Sequence, residues 1–119
     1  MISPAQIVNE WQYTSPADIT DTTAVEVVAA KSGHRHRVHG VHFVNSDIAV
    51  GTYVQVLSGA TALWTGFVGP FVVAAPGANS DGDQFQRPLI GGSGEAINVV
   101  CLTTSAQVRA SVQGVTVVA

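Results

Sequence analysis

Four histidines, His34, His36, His39 and His42, fall within nine residues, the densest group of metal-binding or proton-moving side chains in this 119-residue chain. A neutral imidazole ligates metals, and one that titrates near neutral pH can switch a contact, so the cluster invites both readings. Spacing weakens the first. On an extended strand His36 and His42 share a face but stand about 20 Å apart at ~3.3 Å per residue, too far to hold one ion together. His34 and His36 are better placed, yet no histidine follows His42 and no glutamate lies in the positions after His36. No metal-binding residue is assigned. The expectation is partly exposed or interfacial histidines, which repel one another when protonated and so make a contact sensitive to pH.

The His34-x-His36 pair resembles the metal-binding pair on a jelly-roll strand of the cupins, but that family adds a nearby glutamate and a distant histidine that this chain lacks. Nucleophilic chemistry has little more support. Cys101 lies among Val99, Val100 and Leu102, the setting of a small buried apolar residue and not of an exposed, activated thiolate. No serine sits in a Gly-x-Ser-x-Gly elbow. Gly91-Gly92-Ser93-Gly94 has the glycines of a phosphate loop without its Lys-Ser/Thr pair, and reads as a turn. Asp18, Asp21, Asp47, Asp81 and Asp83 fall in or beside predicted turns, where a carboxylate caps backbone amides. Asp81-Gly82-Asp83 lacks the further ligands of a calcium loop. Trp11, Tyr13, Tyr53, Trp64, Phe67, Phe71 and Phe85 include candidates for a sugar platform, though alternation sends most of them to the core. No catalytic or cofactor-binding residue is assigned, and the chain is read as a non-enzyme.

Composition narrows the partners. Hydrophobic residues make up 46% of the chain and charged residues 11%, against about 25% charged in ordinary soluble proteins. A surface so short of charge is expected to be covered in part by other subunits. Lys31 is the single lysine, the formal net charge is −3, and a basic face able to neutralise phosphates cannot be assembled, which excludes nucleic acid. No apolar run approaches the ~20 residues of a membrane-spanning helix, and no membrane partner is expected. Met1-Ile2-Ser3-Pro4 has neither the basic nor the apolar segment of a secretory signal, so synthesis in the cytoplasm of a host is the expectation.

The elements that must position these groups read as strands. Helical periodicity is almost absent, and valine, threonine and glycine outnumber good helix formers. Alternation predicts strands over residues 6–13, 23–29, 35–45, 52–58, 62–68, 84–90, 95–104 and 106–118. Residues 52–68 form a hairpin about Ser58-Gly59-Ala60-Thr61, anchored by Trp64. Pro88 places its strand at a sheet edge or itself at a strand end, and residues 76–83 read as the longest polar loop. On 35–45, uniform alternation puts Arg37, His39, Val41 and Phe43 on one face and His36, Val38, Gly40, His42 and Val44 on the other. Short strands with no crossover helices predict an all-β antiparallel β-sandwich, a jelly roll of about eight strands, with residues 1–119 as one domain.

The order of motifs adds a resemblance. Trp11-x-Tyr13, the segment from Asp18 to Val25, Val38-His39-Gly40-Val41-His42-Phe43-Val44-Asn45, Leu63-Trp64-Thr65-Gly66, Arg87-Pro88-Leu89 and Val112-Gln113-Gly114 follow one another. The series resembles small β-sandwich virion proteins of tailed bacteriophages, which decorate the head or build fibres and tail appendages. That resemblance implies a capsid decoration (cement) protein located in the virion, a homotrimer bound to the major capsid protein or to a neighbouring virion protein. A receptor- or carbohydrate-binding module of a fibre is the alternative, with residues 77–83 as its contact loop. A cupin-like metal enzyme comes last.

Overall fold

Turn-forming residues and β-branched runs divide the chain into eight strands, described here from a computed structural model covering residues 7–119. They are β1 (Ile7–Thr14), β2 (Val25–Val28), β3 (His34–Asn45), β4 (Thr52–Ser58), β5 (Thr61–Val68), β6 (Ser80–Ile90), β7 (Ile97–Cys101) and β8 (Val108–Val118). No helix occurs among the described residues. The expected start of the first strand at Gln6, and the segment Met1-Ile2-Ser3-Pro4, lie outside them.

Two four-stranded sheets form, ordered β1-β8-β3-β6 and β2-β7-β4-β5, and every pairing is antiparallel. The pairs β4–β5, β3–β6, β2–β7 and β1–β8 are nested like one long hairpin folded about Gly59-Ala60. The pairs β3–β8 and β4–β7 then roll that hairpin into two layers. This is the jelly roll that alternation predicts. Gly59 starts the β4–β5 turn at φ 57°, a left-handed conformation that costs glycine nothing. Pro88 lies in β6, an edge strand, where the ladder donor it lacks is not needed.

The core fills the space between the layers. Val38, Val41 and Phe43 from β3, Val54 and Val56 from β4, Ile97 and Val99 from β7, and Val108, Ala110 and Val112 from β8 are buried together. Phe43 of the first sheet stacks on Trp64 of the second, ring centroids 5.6 Å apart and planes 7° from parallel, so the expected hairpin anchor also ties the sheets to each other.

Three expectations need correction. The pairing of β3 with β8 shifts between Val38 and Gly40, a β-bulge that leaves His39 without a partner. One extra residue reverses the alternation, so His36, Val38, Val41, Phe43 and Asn45 share the buried side, where uniform alternation had divided them between two faces. β6 begins at Ser80, so Asp81-Gly82-Asp83 is strand and not loop. β7 ends at Cys101 and β8 begins at Val108, shorter than expected, because residues 102–107 turn the chain back.

Candidate interaction surfaces

The histidines separate into different environments. His36 is 2% exposed and lies inside the sandwich, which corrects its expected place at the surface. Its Nε2 is 2.8 Å from the Ala29 carbonyl oxygen, and its Nδ1 is 2.8 Å from Thr116 Oγ1. A carbonyl only accepts, so Nε2 carries a proton and donates it to Ala29, while Nδ1 shares a hydrogen bond with the Thr116 hydroxyl. The imidazole thereby links β3 to the end of β2 in the opposite sheet and to β8 in its own. His34 reaches the Ser32 carbonyl through Nδ1 at 2.8 Å. His42 is exposed and His39 half-buried, and among the described residues no group of three or more His, Cys, Asp or Glu is arranged to hold a metal ion.

The bulge at His39 lies beside a shallow trough on the outer face of the β1-β8-β3-β6 sheet. A cavity of about 460 Å³ is lined by Glu10, Gln12, His39 and Gln113 with the Trp11–Gly114 backbone pair and Val115. It runs into a smaller one of about 80 Å³ that shares Gln12 and Gln113 and adds His42, Gln84 and Ser111. Gln113 donates to Gln84 Oε1 at 3.0 Å above Gly40, where a Cβ would come within 2.6 Å of the Gln84 amide. Amides, a carboxylate, imidazoles and a hydroxyl offer hydrogen bonds there with no lysine among them.

The aspartates do two kinds of work. Asp21 accepts from the Thr23 N–H at 3.0 Å, and Asp47 from the N–H groups of Ala49 at 2.9 Å and Val50 at 2.6 Å, as turn caps should. Asp81 and Asp83 instead reach from β6 across the open side of the sandwich. Asp81 accepts from the Phe67 N–H at 3.0 Å, occupying a backbone donor of the edge strand β5 that would otherwise invite a foreign strand, and Asp83 accepts from Trp64 Nε1 at 2.9 Å, fixing the indole. Asp18 pairs with Arg109 Nε. Asn45, which the sequence alone did not single out, is fully buried and ties three loops together. Its Nδ2 donates to the Val50 and Gly69 carbonyls at 2.7 and 3.0 Å, and its Oδ1 accepts from the N–H groups of Asp47 and Gln107 at 3.0 and 3.1 Å.

Cys101 is buried, as its neighbours predict, and burial, assisted by the negative charge of Asp21, pushes its thiol up to about 11. Gly91-Gly92-Ser93-Gly94 uses its N–H groups internally. Gly91 donates to the His36 carbonyl at 2.8 Å, Gly94 to the His34 carbonyl at 2.8 Å and Gly92 to Ser58 Oγ at 2.8 Å, so these amides do not cradle a phosphate.

The other sheet presents different material. Tyr53 of β4 and Phe67 of β5 form an exposed cross-strand pair, centroids 4.9 Å apart, on the outer face of the β2-β7-β4-β5 sheet. Leu102 adjoins them, its N–H bonded to the Tyr53 carbonyl at 2.9 Å. Phe71 donates its N–H to Asp47 O at 2.7 Å, beside Ile48, and Val72 and Val73 continue from it. All of these apolar side chains are exposed at the end of the sandwich that Asn45 organises.

No family model and no curated protein matches the chain. Among solved structures it is similar to a chain of the acid-stable capsid of Helicobacter pylori bacteriophage KHP30, with a TM-score of 0.55 and 11% identity over 96% of this chain and 91% of that one. It is also similar to a chain of the cyanophage Pam1 capsid asymmetric unit, at TM-score 0.45 and 17% identity over 97% of this chain and 91% of that one. A third likeness is to the insecticidal delta-endotoxin Cry8Ea1 of Bacillus thuringiensis, at TM-score 0.40 and 11% identity over 90% of this chain and 19% of that one. The KHP30 likeness, end to end in both chains, establishes a common fold.

Proposed function

We propose that this chain is a non-catalytic structural protein of a bacteriophage virion, made in the host cytoplasm as one domain. In this reading it is a decoration (cement) protein that binds the head as a homo-oligomer, a homotrimer in contact with the major capsid protein, and engages neither nucleic acid nor membrane. The observation that carries the reading is the jelly roll it shares, over 96% of its length, with a chain of the KHP30 capsid. The apolar surface around Tyr53 and Phe67 supports it independently, because a lattice component has neighbours to cover such a surface. Purified protein added at micromolar concentration to heads assembled without it should co-sediment with them and raise the temperature at which they rupture. Heads that leave the protein in the supernatant would contradict the proposal.

One observation favours a second reading, a receptor- or carbohydrate-binding module. The trough of Glu10, Gln12, Gln84, Gln113, His39 and His42 offers paired donors and acceptors suited to sugar hydroxyls. A glycan array probed with the protein decides this reading: retention lost on Gln12→Ala and Gln113→Ala supports it, and no retention removes it.

A further inference from the structure

We infer that the apolar end of the β2-β7-β4-β5 sheet, built from Ile48, Tyr53, Phe67, Phe71, Val73 and Leu102, is where copies of this chain pack against one another around a symmetry axis. The inference deepens the assembly reading above and rests on it for the existence of an oligomer. Exposure is its first support: Val73 is 86% exposed, Ile48 75% and Tyr53 56%, unusual for residues of this size and polarity. They are not scattered. The Tyr53 and Phe67 rings touch, and the Leu102–Tyr53 and Phe71–Asp47 backbone bonds, with the Gly51 backbone against the Phe67 ring, bring the segments that carry the others to the same end of the sandwich.

The area fits a subunit contact. Three aromatic and three aliphatic side chains at these exposures present on the order of 500 Å² of apolar surface. A stable interface buries about 800 Å² per partner, of which about 60% is non-polar, so each side must contribute ~500 Å² of apolar surface.

The electrostatics select a second copy over a foreign partner. A symmetric contact brings identical groups near one another, so it favours surfaces without net charge. The carboxylates beside this surface, Asp47 and Asp81, are turned to backbone N–H groups, Asp47 to those of Ala49 and Val50 and Asp81 to that of Phe67, and the six residues themselves carry no charge. The rest of the chain, at net charge −3, would repel its own copies. A foreign partner selected by charge complementarity would find its counterpart on the other sheet, among Arg35, Arg37, Glu10 and Arg109.

Absolute mass by size-exclusion chromatography with light scattering tests the inference on the wild type and three variants. Phe67→Asp puts a charge at the centre of the surface, and Val73→Asp puts one on a turn so exposed that folding is indifferent to it. Gln12→Asp adds the same charge to the trough as a control. The expected result is a wild type and Gln12→Asp at a whole multiple of the chain mass, with both surface variants at the chain mass and a dissociation constant raised on the order of 100-fold or more. A wild type at the chain mass throughout the micromolar range overturns the inference, and so do surface variants that keep the wild-type mass. Head binding is scored separately on the same samples. An oligomer that the surface variants dissociate but that ignores heads sinks the virion proposal and keeps this contact, whereas head binding by a monomer does the reverse.

Discussion

The two sheets share one core and have four strands each, but their charged and imidazole side chains divide very unequally between them. The strands of the β1-β8-β3-β6 sheet hold Glu10, Arg35, Arg37, Asp81, Asp83, Arg87 and Arg109 together with all four histidines. Those of the β2-β7-β4-β5 sheet hold Glu26 alone. Burial does not explain the difference, because each sheet has one face on the core and one face out. Away from the end where Ile7, Val8, Ile90 and Val118 are exposed, the first sheet places Gln12, His42 and Arg109 at outward positions, and the second sheet Tyr53, Gln55, Thr65 and Phe67. An outer face that carries charge is suited to water or to polar ligands, whereas one that carries rings and aliphatic groups is suited to another protein surface. The low overall charge of the chain is thus concentrated as a deficit on one sheet.

Removal of Asn45 sets the two regions apart most visibly. This amide fixes the loops that carry Ile48, Phe71 and Val73, and Asn45→Ala leaves two carbonyls and two N–H groups without their partner inside the protein. A loss of about 3 kcal/mol in urea unfolding is expected, with hydrogen exchange accelerated in residues 46–51 and 69–79 while the trough is unchanged. Uniform acceleration in both sheets would show that the apolar end is not a separately organised region.

Cys101 reports on the second sheet through pH. Its folded value is raised to about 11 from an ordinary 9.0, so the thiol favours the folded state while neutral. That contribution is complete below the unfolded value, and it is lost as pH rises through the folded one. Wild-type unfolding free energy should fall across this alkaline window, and Cys101→Ala should lack that part of the fall. Equal slopes for the two proteins would contradict the burial assigned to the thiol.

The open side between β5 and β6 gives a smaller effect. Asp83→Ala removes the acceptor of Trp64 Nε1 and should cost about 1 kcal/mol, and Asp81→Ala frees the Phe67 N–H on an edge strand. The double variant is expected to aggregate with a concentration dependence that the wild type lacks, read by light scattering. The smallest change is Asp18→Ala, which breaks an exposed ion pair with Arg109 and should shift stability by less than about 0.5 kcal/mol.

Alternation and turn chemistry were enough to read the strands, because their hydrophobic period and glycine or proline breaks are local properties. The β4–β5 hairpin, the edge position of Pro88 and the burial of Cys101 were legible for that reason. The faces of β3 were not. A bulge at His39 depends on how β3 meets β8, and Gly40, the one residue of 34–45 that hints at an irregularity, does not by itself place it. The same non-local cause hid the role of Asp81 and Asp83, whose acceptors serve a strand fourteen to nineteen residues earlier in the chain. It also hid Asn45, whose partners extend to Gln107. The exposed apolar surface was legible only as a shortage of charge, since composition reports how little charge there is without reporting where it is missing.

The proposed contact covers the β2-β7-β4-β5 face in the assembly and leaves the opposite face open. Side-chain footprinting of the assembled protein, read by mass spectrometry, tests it directly with hydroxyl radicals for the rings and an imidazole-acylating reagent for the histidines. Tyr53 and Phe67 should be protected in the assembly and become reactive on dissociation, while His42 is modified equally in both states. Tyr53 and Phe67 that react as fully in the assembly as in the monomer, with His42 protected instead, would contradict it.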